Sequence, residues 1–302
     1  MGVTLAAVAA GSTVASTPGK NGLIVYSQQV GHHFQLFTVR PDGTARTQLT
    51  HEHGDAVNAD WSPDGSRLVF EVGGEKGAGI FVAAADGSGA RNLTPTGFQG
   101  QPAFSPDGES IAFEREIGPG NSGVFVMAAD GSGVRRLTRN PFHPKRSCGC
   151  DTDPNFSPDG KTVTFVRVKH EGDLQALFSV GIDGTGLRQL TPYSWDVAIK
   201  HDWSPDGRRI ALTTNANPRP GTSANLVTIR PDGGGLRRLT RYRGGRSNAF
   251  AGSFSPDGKQ IVFRLERGKR SGLAVVGARG GAPRLLTTGT AKPRFIDWGT
   301  HQ

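Results

Sequence analysis

Histidines are the residues of this chain with the widest chemical reach, and they cluster. His32, His33, His51 and His53 place four imidazoles within a short stretch. Imidazole suits Zn, Cu, Ni or Fe, so this set is the leading metal candidate, provided the loops bring it together. His143, His170 and His201 fall in other connecting segments, and only His301 stands apart, near the C-terminus. Two readings stay open. The histidines mark a functional face, or loops simply collect residues that suit neither tight turns nor cores. Cys148-Gly149-Cys150 is the one cysteine pair. In an exported protein it is expected to be a local disulfide or oxidised staple. Two thiolates are too few for a structural zinc site, and a Cys-x-x-Cys redox context is lacking. Asp60, Asp202 and Asp297 each stand directly before a tryptophan, where they suit a channel mouth or a hydrogen bond within a strand turn. There is no phosphate loop, no carboxylate pair at catalytic spacing and no nucleophilic triad. No catalytic residue is assigned, and a metal at the histidines is the only cofactor considered.

The elements that must position these residues repeat. Ser-Pro-Asp-Gly occurs five times, each copy after an aromatic residue: Trp61, Phe104, Phe156, Trp203 and Phe254. The glycines of successive copies are 43, 52, 47 and 51 residues apart, a period that means a repeat architecture. Pro presets φ at the second turn position, while Asp-Gly supplies a local side-chain acceptor and a permissive φ. Asp64, Asp107, Asp159, Asp206 and Asp257 are therefore expected to be structural turn residues. An apolar run follows each turn, as in Leu68-Val69-Phe70 and Ile111-Ala112-Phe113. A second run, an Asp-Gly turn and a Leu-Thr pair complete each repeat, giving four short strands in an antiparallel meander.

The chain ends explain why six Leu-Thr pairs accompany five Ser-Pro-Asp-Gly turns. Residues 21–50 carry three strands of a repeat and lack the first, and Phe295-Ile296-Asp297-Trp298 looks like the missing strand. The expected fold is an all-β, six-bladed β-propeller, four antiparallel strands per blade, closed by pairing the C-terminal strand with the N-terminal blade. A parallel β-solenoid is the alternative, but it would not need a split first repeat. The propeller is assigned to residues 21–299. Residues 1–20 read as a signal peptide without its basic region, or as a disordered tail, with export favoured.

Across 302 residues no apolar run is long enough to span a membrane. The net charge of +9 invites a nucleic-acid reading. Much of the excess, however, sits beside the Leu-Thr strands: Arg46, Arg91, Arg135, Arg136, Arg188, Arg237, Arg238 and Arg284. Charge on an edge strand blocks aggregation, and aromatic–basic interleaving is absent, so nucleic acid is not expected. An anionic envelope polymer or acidic protein surface remains a fitting partner.

The aromatic–Ser-Pro-Asp-Gly–apolar unit, with its following Asp-Gly turn and Leu-Thr strand, resembles the repeats of TolB-type β-propellers over residues 21–299. The resemblance implies a propeller that binds a protein or other ligand outside the cytoplasm. TolB carries an α/β domain before its propeller, and no such segment precedes residue 21, so a stand-alone propeller is expected. Prolyl-oligopeptidase-type enzymes carry similar propellers ahead of a hydrolase, but no Gly-x-Ser-x-Gly elbow is present here. The leading expectation is a monomeric, non-catalytic, periplasmic or extracellular scaffold that presents its loop-rich face to a protein or anionic envelope ligand. The residues assigned to that face are His32, His33, His51, His53, Asp60, His201, Asp202 and Asp297. The alternative is a metal-dependent carbohydrate-active lyase or hydrolase using the histidines.

Overall fold

A computed structural model describes residues 19–74, 77–139, 149–169 and 174–300. These residues are almost wholly β, arranged as consecutive four-stranded antiparallel units. The first contains β1 (Asn21–Val30), β2 (His33–Val39) and β3 (Thr47–Gln48), joined by the last strand of the chain, β24 (Arg294–Thr300). Next come β4 (Asp55–Trp61), β5 (Arg67–Gly74), β6 (Gly77–Ala84) and β7 (Arg91–Asn92). The third unit is β8 (Gln99–Phe104), β9 (Ser110–Gly118), β10 (Asn121–Ala128) and β11 (Arg135–Arg136). The fourth is β12 (Gly149–Phe156), β13 (Thr162–Lys169), β14 (Leu174–Gly181) and β15 (Arg188–Gln189). The fifth is β16 (Asp202–Trp203), β17 (Ile210–Thr214), β18 (Asn225–Ile229) and β19 (Arg237–Arg238). The last is β20 (Ser247–Phe254), β21 (Gln260–Arg267), β22 (Arg270–Gly277) and β23 (Arg284–Leu285). A short parallel pairing of Asn121 with Gly149 and Ser122 with Cys150 links the third unit to the fourth.

The repeated residues each close a specific set of hydrogen bonds. In every Ser-Pro-Asp-Gly turn the serine hydroxyl donates to the aspartate two residues on, at 2.6 Å in Ser62–Asp64 and Ser157–Asp159. The same carboxylate accepts the backbone N–H two residues further, at 3.0 Å from Ser66 and 3.1 Å from Lys161. The serine and backbone bonds to Asp64 hold its pKa down at about 2. The glycine that ends each turn has a positive φ, 71° at Gly65. Asp159→Ala is therefore expected to lower stability by about 1–3 kcal/mol in a denaturant titration and leave partner affinity unchanged while the chain stays folded. A variant of full stability and lost binding would transfer function to the turn end. The threonine of each Leu-Thr pair has its own role. Its Oγ1 accepts a backbone N–H from the third strand of its unit, as in Leu36–Thr50 at 2.8 Å and Leu177–Thr191 at 2.9 Å.

Every apolar cluster is shared by two successive units, which is why no unit can be stable alone. Val69, Ile80 and Val82 of the second unit pack with Phe104, Ile111 and Phe113 of the third. Val262, Leu273 and Val275 of the last unit pack with Ile24, Tyr26, Ile296 and Trp298 of the first. The outer arginines add a peripheral tie. Arg91, Arg135, Arg188 and Arg284 donate to backbone carbonyls of Asp130, Ile182, Asp232 and Pro41, each in the next unit's Asp-Gly turn region. The arginine excess thus joins neighbouring units as well as charging the outer strands.

Candidate functional site

The first strand of most units contains a β-bulge, with register shifts between Val57 and Asp60, Gly100 and Ala103, Thr152 and Asn155, and Ala251 and Phe254. The first three bulges carry left-handed residues, Asn58 (φ 54°), Gln101 (φ 52°) and Asp153 (φ 49°), and Phe295 (φ 50°) stands at the irregularity of β24 opposite Val25–Ser27. A bulge re-aims the side chains that follow it. Here Asp60, Asp202 and Asp297 come to line one cavity together with the Ser-Pro-Asp-Gly prolines. Each carboxylate also reaches the next unit: Asp60 Oδ2 accepts Phe104 N–H at 2.8 Å, Asp202 Oδ2 accepts Phe254 N–H at 2.6 Å and Asp297 Oδ2 accepts Trp61 N–H at 3.2 Å. Asn155 takes the same place and donates to Asp202 Oδ1 at 3.3 Å.

These acids repel one another. Burial, and then the charge of Asp297, push Asp60 well above the usual carboxylate range and Asp202 up to about 6, while Lys200 acts the other way. Burial works against the Lys200 ammonium as well, yet Asp153, Asp297, Asp60 and Asp202 together hold its pKa above the ordinary lysine value. Lys200 is the positive charge among these acids. Beside it, His201 is fully buried, with Nδ1 3.0 Å from Asp153 Oδ2 and Nε2 2.8 Å from Thr164 Oγ1.

The opposite end of the strands carries the connections between second and third strands and between units. His32 and His33 sit exposed at the β1–β2 turn, and His33 Nδ1 lies 3.6 Å from Asp55 Oδ1. His51 and His53 are exposed on the connection to β4, and His51 Nδ1 is 3.2 Å from Gln48 Nε2. His53 borders a groove of about 560 Å³ that runs past Gly73, Gly77 and Pro95. Three large apolar side chains are exposed at the same end: Val30 at 43 % in the first unit, and Phe98 at 51 % and Ile117 at 38 % in the third. Among the described residues, no group of three or more His, Cys, Asp or Glu side chains is arranged to hold a metal ion.

The structure thus divides the residues assigned to one face. His32, His33, His51 and His53 stay on the loop end. Asp60, Asp202 and Asp297 lie at the Ser-Pro-Asp-Gly end, because they fall late on inner strands that run toward those turns. His201 belongs to neither surface, since it packs against Thr164 and Asp153. Cys150 is on β12, with its sulfur 3.6 Å from Gly120 O. Cys148, and with it the proposed cysteine pair, lies outside the described residues, as do His143, His170 and His301. Sequence reasoning missed Lys200. A usable signal existed: Asn58, Gln101, Asp153 and Lys200 all stand three places before the aromatic of a Ser-Pro-Asp-Gly motif, a polar residue recurring at one place in the repeat.

Comparison with known proteins agrees with this geometry. The model of the TolB beta propeller domain family matches residues 94–302. The chain belongs to that family. The Tol-Pal system protein TolB of Anaeromyxobacter dehalogenans is 34% identical over 115 residues, 38% of this chain and 24% of that protein. The uncharacterized peptidase YuxL of Bacillus subtilis is 28% identical over 144 residues, 37% of this chain and 21% of the relative. The matched parts therefore span only about a fifth to a quarter of these relatives. The crystal structure of TolB from Acinetobacter baumannii superposes with a TM-score of 0.73 at 21% identity, covering 92% of this chain and 66% of that one. That likeness concerns the fold.

Proposed function

We propose that this chain is an exported, non-catalytic binding scaffold: a six-bladed propeller, closed through β24, whose loop end docks a protein partner. The observation that carries the choice of face is that Val30, Phe98 and Ile117 are exposed at the same end of the strands as His32, His33, His51 and His53. Exposed apolar side chains rimmed by polar ones mark interaction surfaces. The axial end is less suited, because its carboxylates already bond the neighbouring units and Lys200 offsets their charge. Ring closure is supported by the Ile24–Trp298 and Val25–Asp297 pairing and by Arg284 reaching Pro41. No helix among the described residues is long and apolar enough to cross a membrane.

The test is a quantitative binding comparison with a partner captured from envelope extract and then purified. Replacing His51, His53 and Phe98 together by Ala is expected to weaken binding at least about tenfold. The melting temperature should change little, since exposed positions usually cost within about 0.5 kcal/mol each. Retained binding in that variant, with loss on reversing Arg135, Arg188 and Arg237 to Glu, would move the interface to the outer rim.

A further inference from the structure

A second cluster of acids lies away from the axis, in the cleft between the second and third units. Glu71 on β5 and Glu114 on β9 follow the buried Phe70 and Phe113 at equivalent places in their repeats. Both line a cavity of about 260 Å³ that also reaches Phe98, Gln99, Asn121 and Gly120. The Gly120 turn and Phe98 place its opening on the loop end.

Acceptors dominate this cleft, and its charges are of one sign. Glu71 Oε2 accepts from Asn58 Nδ2 at 2.7 Å and from Gln101 N–H at 3.2 Å, and Glu114 Oε2 accepts from Thr152 Oγ1 at 2.6 Å. No lysine or arginine among the described residues pairs with either carboxylate. The charged neighbours that bear on them are Asp55 for Glu71, and Glu71 and Asp153 for Glu114. Burial first, and these like charges next, hold both pKa values above the usual range. A second, independent observation concerns neutral groups. Gln99 is 4 % exposed and spends its Nε2 on Thr96 O, leaving its buried Oε1 without a donor. The buried Asn121 Oδ1 likewise has none. Buried acceptors are ordinarily satisfied, so exceptions gathered around one cavity point to a missing donor. Gly100 contributes to the shape, since a Cβ there would collide with the Glu71 carboxylate.

We propose that this cleft binds an organic cation, an alkylammonium or guanidinium group, held by Glu71 and Glu114 and completed by Gln99 Oε1 and Asn121 Oδ1. An ammonium or guanidinium supplies only donors, with the charge the cleft lacks. The cavity is large for a bare metal ion, and Phe98 offers a ring at the opening against which an alkyl stem or a guanidinium plane can rest. The group can come from a free amine or from a Lys or Arg side chain of a docked protein. The inference goes beyond the scaffold reading and does not depend on it, because a small amine can bind even if no protein uses this face.

The test is calorimetric titration of the full chain with butylammonium, butylguanidinium, neutral 1-butanol and calcium ion. Saturable one-to-one binding of at least one cation is expected, at least about tenfold weaker in Glu71→Gln and in Glu114→Gln. Proton release on binding, read as a heat that depends on the buffer, should grow as the pH is lowered toward the carboxylate range. The cation should also raise the melting temperature of the wild-type chain but not that of Glu71→Gln. Phe98→Ala, an exposed change that leaves the carboxylates in place, should weaken binding less than either glutamate variant. A Gly-Gly-Lys-Gly-Gly peptide separates the sources: tighter binding than butylammonium indicates a protein side chain, weaker binding a free amine. The proposal is overturned if neither organic cation saturates, if butanol binds equally well, if calcium alone binds, or if both glutamine variants bind as the wild type does.

Discussion

Deleting residues 293–302 is expected to produce the largest loss of stability of any small change to this chain. The deletion removes β24, which pairs with β1 and provides Ile296 and Trp298, 2 % and 4 % exposed, to the cluster shared by the last and first units. Trp298 Nε1 also donates to Gly22 O at 3.2 Å, and Asp297 takes the Trp61 N–H. Trp→Ala and Ile→Ala changes in cores cost roughly 3–5 and 2–5 kcal/mol, so losing both side chains with the ladder should cost at least about 5 kcal/mol. In a domain of this size that is a fall in melting temperature of at least about 8 °C. Trp298→Ala alone should account for about 3–5 kcal/mol. An unchanged melting curve for the deletion would show that the last strand does not complete the first unit, and the closed ring would have to be abandoned.

Lys200→Met is the second large effect, and its signature is pH. The ammonium offsets Asp60, Asp153, Asp202 and Asp297; because Lys200, Asp60 and Asp202 are half-buried, its removal should cost less than the roughly 3–5 kcal/mol of a fully buried charge partner. The sign follows from the directions of the shifts. Asp60 and Asp202 have folded pKa values above their unfolded ones, so their contribution is full below the unfolded value. It is lost as pH rises through the folded value, about 6 for Asp202. Lys200 is itself shifted up, so its contribution persists through neutral pH and is lost only in strong alkali. Without it the acids rise further. Lys200→Met should therefore be less stable than wild type at about pH 7.5, and should recover part of the difference at about pH 5, where more of the carboxylates are protonated. Parallel stability–pH curves for the two proteins would remove Lys200 from the axial cluster.

The two effects concern different ways of joining the same units. The Trp298 and Ile296 contacts are apolar and depend little on pH, whereas the Lys200 cluster, to which Asp297 of the same strand contributes, is electrostatic and depends on it strongly. Measuring Trp298→Ala and Lys200→Met across pH therefore separates packing from charge balance, and neither change touches the loop-end residues assigned to binding.

Much of the architecture is legible in the repeats because their residues act locally. A Ser-Pro-Asp-Gly turn is closed by its own serine, its own aspartate and an N–H two residues on, so sequence alone determines the turn and the hairpin around it. The Leu-Thr pair is likewise a short-range device, its threonine reaching the adjacent strand of its own unit. Even the echo of Asp60-Trp61 in Asp297-Trp298 is visible, because every repeat asks the same residues for the same place. Sites are another matter. Whether Asp60 meets Lys200, or Glu71 meets Glu114, depends on how separate units pack and where a bulge turns a strand, and no local pattern encodes those distances. His201 and His53 look alike as loop histidines in the sequence. Only the tertiary structure buries the first against Asp153 and Thr164 and leaves the second exposed beside a groove, because burial is a property of what the neighbouring units bring, not of the residue itself.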